Sequence, residues 1–190
     1  MEIVRLVGKP LHNNMYVCIS GSDAVLVDAS DSSVIVPFLH ERCLQLRAIL
    51  LTHAHPDHIY SLRLLLDMYS VPVYCHSGET LFLELGGFSS RDVTFVSHND
   101  VLSFFGKSFS IIHTPGHTPG GVCYLVNDVL FSGDTLFKDA RGRTDLLGGN
   151  EEKLLHCIRE RLLSLPDTTR VLPGHYDETT IGAEKKYYLL

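Results

Sequence analysis

Apolar residues in this chain recur with two periods, one near 2 and one near 3.6. Short alternating or continuous runs at Glu2 to Val7, Met15 to Ser20 and Ala24 to Asp28 predict three strands, the last two joined by a hairpin at Gly21-Ser22-Asp23. From Ser33 to about Leu46 the spacing becomes helical, with Asp31 or Ser32 placed to cap the start. Ala48 to Thr52 reads as a buried strand and His58 to Tyr69 as a helix. A strand at Pro72 to His76 and a helix from Gly78 to Leu85, stopped by Gly86-Gly87, follow. The second half restarts the theme with strands at Val93 to Val96, Val101 to Phe104, Phe109 to Thr114, Val122 to Val126 and Val129 to Ser132, the last pair turning at Asn127-Asp128. It closes with a helix from about Glu151 to Leu165, a strand at Arg170 to Leu172 and a short helix near Thr179. Two strand-rich halves ending in helices, with no Pro/Gly/Ser-rich linker between them, suggest one α/β domain over residues 1–190. Its expected architecture is two packed sheets with helices outside, a four-layer αββα sandwich.

Composition narrows the class of partner. With 190 residues and 45 % hydrophobic content the chain can build a core without staples. A net charge of −6, with acids and bases interspersed and no Lys/Arg run, argues against a nucleic-acid backbone or an anionic membrane as partner. Five singly dispersed cysteines, Cys18, Cys43, Cys75, Cys123 and Cys157, read as reduced core thiols of a cytosolic protein. The start Met1-Glu2-Ile3-Val4-Arg5 has an early acid and no apolar signal core, and no later stretch approaches membrane-span length, so a soluble cytoplasmic protein is expected.

The chemistry is concentrated at the end of one strand, in Thr52-His53-Ala54-His55-Pro56-Asp57-His58. Such a cluster arises by chance in a chain of this length and composition roughly once in 400, so a polar turn capping a helix is a poor account of it. In an extended segment, residues i and i+2 point the same way, so His53 and His55 can grip one ion together. Asp57 and His58 follow as the chain enters a helix and therefore project elsewhere, an arrangement better suited to two neighbouring ions than to one tetrahedron. Three later positions share a context, a ligand-type residue after glycine at a strand end: His117 in Thr114-Pro115-Gly116-His117, Asp134 in Ser132-Gly133-Asp134 and His175 in Leu172-Pro173-Gly174-His175.

Taken together, these stretches resemble the metallo-β-lactamase superfamily over essentially the whole chain. The resemblance implies the αββα fold and a binuclear site. His53, His55 and His117 would hold the first metal, Asp57, His58 and His175 the second, with Asp134 bridging. Asp57 is also the residue expected to act in catalysis, and Asp28 matches the family's early aspartate, a structural group near the site. Within the superfamily, Gly142-Arg143-Thr144-Asp145-Leu146, Gly148-Gly149 and Thr179-Thr180-Ile181-Gly182 resemble the small glyoxalase II-like hydrolases. That implies hydrolysis of an acyl-thioester by hydroxide bridging two divalent metals, with zinc the leading choice and iron or manganese also suited to the donors. Arg143 is expected to meet an anionic substrate, unless it only fixes its loop through Asp145, and Tyr60 is expected to line the pocket. Departures from the family pattern are Tyr60-Ser61 where glycine is common after His58, and Tyr176-Asp177 in place of Gly-Pro. Ending at Leu190, the sequence is expected to lack the C-terminal helical domain with which full-length glyoxalase II binds glutathione. Two other readings stay open: a mononuclear iron persulfide dioxygenase using His53, His117 and Asp134, and an inert metal-binding or sensor module.

Overall fold

The strand Asn14–Ser20 turns alternate side chains to opposite faces. Met15, Val17 and Ile19 enter a core beneath helices, while Tyr16 and Cys18 enter a core shared with a second sheet. That alternation, repeated along both sheets, makes the layers. A computed structural model of the chain describes residues 1–9 and 12–188. The first half runs β1 (Glu2–Val7), β2 (Asn14–Ser20), β3 (Asp23–Val27), α1 (Ser32–Glu41), β4 (Gln45–Leu50), α2 (Pro56–Ile59), α3 (Leu62–Met68), β5 (Val73–His76), α4 (Thr80–Leu85) and β6 (Thr94–Val96). The second runs β7 (Val101–Phe104), β8 (Lys107–His113), β9 (Val122–Val126), β10 (Val129–Gly133), β11 (Leu136–Phe137), β12 (Ala140–Arg141), α5 (Glu151–Cys157), β13 (Arg170–Pro173), β14 (Thr179–Thr180) and α6 (Ile181–Tyr188).

Two six-stranded sheets result, ordered β1-β2-β3-β4-β5-β6 and β14-β13-β10-β9-β8-β7. Between them pack Val25, Val27, Ala48 and Leu50 from the first and Phe109, Ile111, Tyr124 and Phe131 from the second. Outside the first sheet, Ile35, Leu39, Leu62, Leu65 and Leu83 of the helices cover its far face, and Leu154, Ile158, Leu162 and Ile181 do the same for the second sheet. The four-layer αββα sandwich expected from the sequence is therefore the fold observed. No helix among the described residues is long and apolar enough to cross a membrane.

Boundaries differ where tertiary bonds outcompete local periodicity. Helix α1 stops at Glu41 and the chain reverses at Cys43, in the left-handed region at φ 50°, so Leu46 belongs to β4 rather than to the helix. Cys43 is also exposed, unlike the four other, buried cysteines and unlike the expected core thiol. The helix expected over His58 to Tyr69 is broken at Tyr60-Ser61. There the His58 carbonyl accepts from Ala29 N at 2.8 Å, Ser61 N donates to Ala29 O at 2.9 Å and Ser61 Oγ accepts from Ser32 N at 2.7 Å. These bonds tie the break to the loop after β3. Helix α5 likewise gives way to a π-helical turn, Ile158–Leu162. The β11–β12 ribbon and β14 were not anticipated, because two residues are too few to show a period.

Candidate metal centre

Strands β3 and β4 are parallel neighbours in the first sheet, and β10 and β13 in the second, so the loops leaving their C-terminal ends gather at one edge of the sandwich. Asp28 follows β3, the His53 to His58 segment follows β4, Asp134 follows β10 and His175 follows β13, while His117 lies in the loop from β8 to β9. Gly133, at φ 48°, turns the chain towards Asp134 where a Cβ would meet Thr52 Oγ1 at 2.5 Å. Gly174 leaves room for a different reason: its backbone lies against Asp134 Oδ1, and a side chain would displace that carboxylate.

The structure brings all seven expected ligands into one cluster. His53, His55 and His117 form one group of donors, Asp57, His58 and His175 a second, and His53, His58 and Asp134 a third, with donor atoms inside each group within 4.8 Å of one another. Asp134 Oδ1 lies 3.4 Å from His58 Nε2, and its Oδ2 lies 3.6 Å from His117 Nε2 and 3.5 Å from His175 Nε2, so this carboxylate faces both sides of the cluster. Asp57 Oδ2 is 3.2 Å from His175 Nε2. His53 Nε2, His58 Nε2 and Asp134 Oδ1 are buried without a hydrogen-bond partner. Three orphaned donor atoms converging in one place carry a large desolvation penalty unless a cation joins them.

The outer ring nitrogens explain why the inner ones are free to bind. His58 Nδ1 is 2.8 Å from Asp28 Oδ2, and His117 Nδ1 donates to the Arg143 carbonyl at 2.7 Å. Thr52 Oγ1 donates to Asp28 Oδ2 at 2.9 Å, which leaves its lone pair for the His53 Nδ1–H at 3.1 Å. Each of these rings therefore turns a bare Nε2 inward, the arrangement that divalent metals select. His55 instead presents Nδ1, 2.9 Å from His117 Nε2. Burial, and then the neighbouring rings of His58, His117 and His55, hold His53 well below the ordinary histidine pKa, and burial with His117 pushes His55 down to about 4. Burial opposes charge on His58 too, but the carboxylates of Asp28 and Asp134 raise its pKa well above the usual value, so a cation entering the cluster would take the place of a proton on Nε2. Asp57 and Asp134 overcome the same burial and stay ionised, Asp57 through the His175 hydrogen bond and the charge of His58, Asp134 chiefly through His58. Nitrogen and carboxylate donors of this kind, without thiolate, suit Zn²⁺, Fe²⁺ or Mn²⁺ alike.

The cluster floors a cavity of about 570 Å³. One wall comes from the β11–β12 ribbon and the loop after it, with Phe137, Lys138, Arg141, Arg143 and Leu146, and Tyr176 packs against Phe137 with ring centroids 5.5 Å apart. Helix α6 braces that ribbon: Glu184 accepts from Asp139 N at 3.0 Å, and Tyr188 donates to the Ala140 carbonyl at 3.0 Å. Arg143 lines the cavity, yet its guanidinium makes paired bonds of 2.7 and 2.6 Å to Asp145, so the structure shows both the substrate-facing and the loop-fixing placement at once. Tyr60 does not line this cavity, contrary to expectation. The helix break turns it outward, 83 % exposed, over a separate apolar hollow with Ile59, Phe82 and Phe88.

Glu79 is the functional residue that sequence reading missed. Fully buried, it accepts from Ala54 N, between His53 and His55, at 2.8 Å and from Gly120 N, just beyond His117, at 2.7 Å. It buckles the two histidine loops together. A carboxylate in the run His76-Ser77-Gly78-Glu79-Thr80 gives no local signal of this, because both partners are distant backbone amides.

Comparison with known proteins places this geometry. The family model described as the metallo-beta-lactamase superfamily matches residues 8–175. Probable metallo-hydrolase YqgX of Bacillus subtilis (strain 168) is 37 % identical, over 97 % of this chain and 95 % of its own. Among solved structures, the BLEG-1 B3 metallo-beta-lactamase superposes with a TM-score of 0.89 at 35 % identity, covering 98 % of both chains. TTHA1623 in a di-iron-bound form does so with 0.82 at 34 %, covering 96 % of this chain and 97 % of that one. ETHE1 from Myxococcus xanthus does so with 0.86 at 30 %, covering 99 % and 83 %.

Proposed function

This chain belongs to the metallo-beta-lactamase superfamily, and on that premise we propose that it is a metal-dependent hydrolase acting on acyl-thioesters of anionic thiols. The observation that carries the reading is the cavity itself: five metal-type donors on its floor, His55, Asp57, His117, Asp134 and His175, with His53 and His58 buried beneath them, and the cations Lys138, Arg141 and Arg143 lining it. A binuclear site agrees with the second donor group, Asp57, His58 and His175, and with the di-iron form of the similar TTHA1623. Two divalent ions held there would lower the pKa of a water toward ~7 and polarise an acyl carbonyl.

The chain's own residues do the rest. Asp57, ionised and reaching the cavity, orients the attacking water as the catalytic carboxylate, while Asp134 keeps the two donor groups in register. The cationic wall holds the thiol's negative groups. The water oxygen bonds to the acyl carbon, the C–S bond breaks with its electron pair leaving on sulfur, and the water's proton ends on that thiolate.

Turnover of S-lactoylglutathione and a panel of acyl-thioesters by metal-loaded protein is the expected result. Absence of any thioester hydrolysis, with metal content verified, defeats the reading. The likeness to ETHE1 supports as second reading a single-iron dioxygenase acting on a persulfide; the two imidazoles and one carboxylate that lie together are His53, His58 and Asp134, with His58 in place of the expected His117. One iron per chain with O₂ uptake on glutathione persulfide would establish it.

A further inference from the structure

Immediately after the donor His175, Tyr176 adopts φ 66°, in the left-handed region where a side chain is strained. Of the described non-glycine residues with positive φ, Tyr176 alone lines the metal cavity. Asparagine and aspartate visit this region readily, and Asp28, Asn99, Asn127 and Asp139 do so elsewhere in the chain; an aromatic ring there is costlier, and the other one, Phe105, packs partly buried against the core between the sheets, whereas Tyr176 has no such packing. The surrounding structure enforces the conformation. The Asn14 side-chain amide donates to both the Tyr176 carbonyl, at 2.9 Å, and the Pro173 carbonyl, at 2.8 Å, and Asn14 N donates to Gly174 O at 2.6 Å. Core packing does not explain the ring either, because Tyr176 is 67 % exposed. It stands edge-on to Phe137, with centroids 5.5 Å apart, and Phe137 in turn lies beside His175. Phe137 is 6 % exposed, so Tyr176 presents the accessible aromatic face of the pair. Tyr176 and His175 also line a second hollow of about 450 Å³, with Arg5, Val7 and His12.

We propose that Tyr176, backed by Phe137, is the specificity wall of the cavity and selects thioesters whose acyl group is apolar and bulky over those with small polar acyl groups. This rests on the thioesterase reading above and adds the substrate class to it. Strain held at a cavity rim by an exposed aromatic ring is the signature of a side chain kept for what it touches in a complex. The ring offers a flat apolar face to an aryl or alkyl acyl chain, while the cationic wall of Lys138 and Arg143 takes the thiol's charge. An acyl chain bound this way lies between Tyr176 and the metal donors, with its carbonyl at the floor.

Three proteins decide it: wild type, Tyr176→Gly and Tyr176→Phe. The ratio of kcat/KM for phenylacetyl and hexanoyl thioesters to that for the acetyl thioester of the same thiol is expected to fall roughly tenfold in Tyr176→Gly and to persist in Tyr176→Phe. Glycine also relieves the left-handed strain, so the Tm of Tyr176→Gly is expected to rise by roughly 2 to 4 °C. Calorimetric binding of phenylacetate and hexanoate to metal-loaded protein, weakened in Tyr176→Gly, reads the same wall without turnover. An unchanged acyl ratio together with unchanged acid binding in Tyr176→Gly overturns the proposal, as does loss of both in Tyr176→Phe. A wild type that binds these acids through Tyr176 but hydrolyses no thioester overturns the thioesterase reading and leaves the wall standing.

Discussion

Asp28 is outside the donor set, yet more of the site hangs on it than on some residues within it. It sits at φ 61° just past β3, where its carboxylate takes Thr52 N at 2.8 Å, Thr52 Oγ1, and His58 Nδ1. Removing it frees both the ring and the loop that orient His58 and His53. Asp28→Ala is expected to lower metal affinity roughly 10- to 100-fold, measured by competition with a chromophoric chelator. Arg143 calls for a kinetic test instead, because its pair with Asp145 is exposed and both ends are solvated. Arg143→Glu should raise KM for an anionic thioester with little change in Tm, whereas an unchanged KM would reduce the residue to a clasp for its own loop. Outside the donor set, His76 stacks on His113 with centroids 3.9 Å apart and accepts from Gly78 N at 3.0 Å; burial and His113 push it down to about 4. The unfolded chain takes up this proton near 6.5 and the folded chain near 4, so in that window the unfolded state binds more protons. Stability from this group is whole above pH 6.5 and declines as pH falls towards 4. His76→Gln should flatten the Tm profile over that range.

Among the elements, those bearing donors were the most legible. Strand β4 was marked by its apolar run ending in the histidine cluster, and β10 and β13 by apolar runs whose ends carry glycine before the ligand, Gly133 before Asp134 and Gly174 before His175. What escaped was set by distant partners. The ribbon β11–β12 depends on α6 for its bracing, the break between α2 and α3 on the loop after β3, and the Glu79 buckle on two backbone amides from separate loops. None of those bonds has a local sequence signature. The buckle also yields a prediction. A Cβ on Gly120 would meet Glu79 N at 2.6 Å, so the turn carrying Glu79 and the His117 loop pack backbone on backbone. Glu79→Ala would leave two buried amides unpaired at a cost of about 1 to 3 kcal/mol each, and loosen both histidine loops. Its metal affinity is expected to drop more than that of Glu79→Gln, which keeps one acceptor oxygen; chelator competition on the two variants compares them.

For the molecule as a whole, the decisive fact is how the donors are shared. His53, His55, Asp57 and His58 come from the first sheet, and His117, Asp134 and His175 from the second. Any ion bound by both sets ties the two halves of the sandwich together, so it binds the folded chain in preference to the unfolded one. Each ion at a hundredfold excess over its Kd would add about 2.7 kcal/mol. Dialysis against a strong chelator should therefore lower Tm, and restoring the metal should return it in a concentration-dependent way. Constancy of Tm through that cycle would mean that the donor cluster carries no bound ion in solution.

That division of donors gives the site a second meaning. A chain in which one sheet has formed and the other has not yet docked holds only part of each coordination sphere, since His117 must join His53 and His55, and His175 must join Asp57 and His58. Metal occupancy then works as a completion mark for folding. The ratio of bound ion to polypeptide in a fresh preparation would count the molecules whose two halves have closed on each other, and a misdocked chain would identify itself by coming through purification empty.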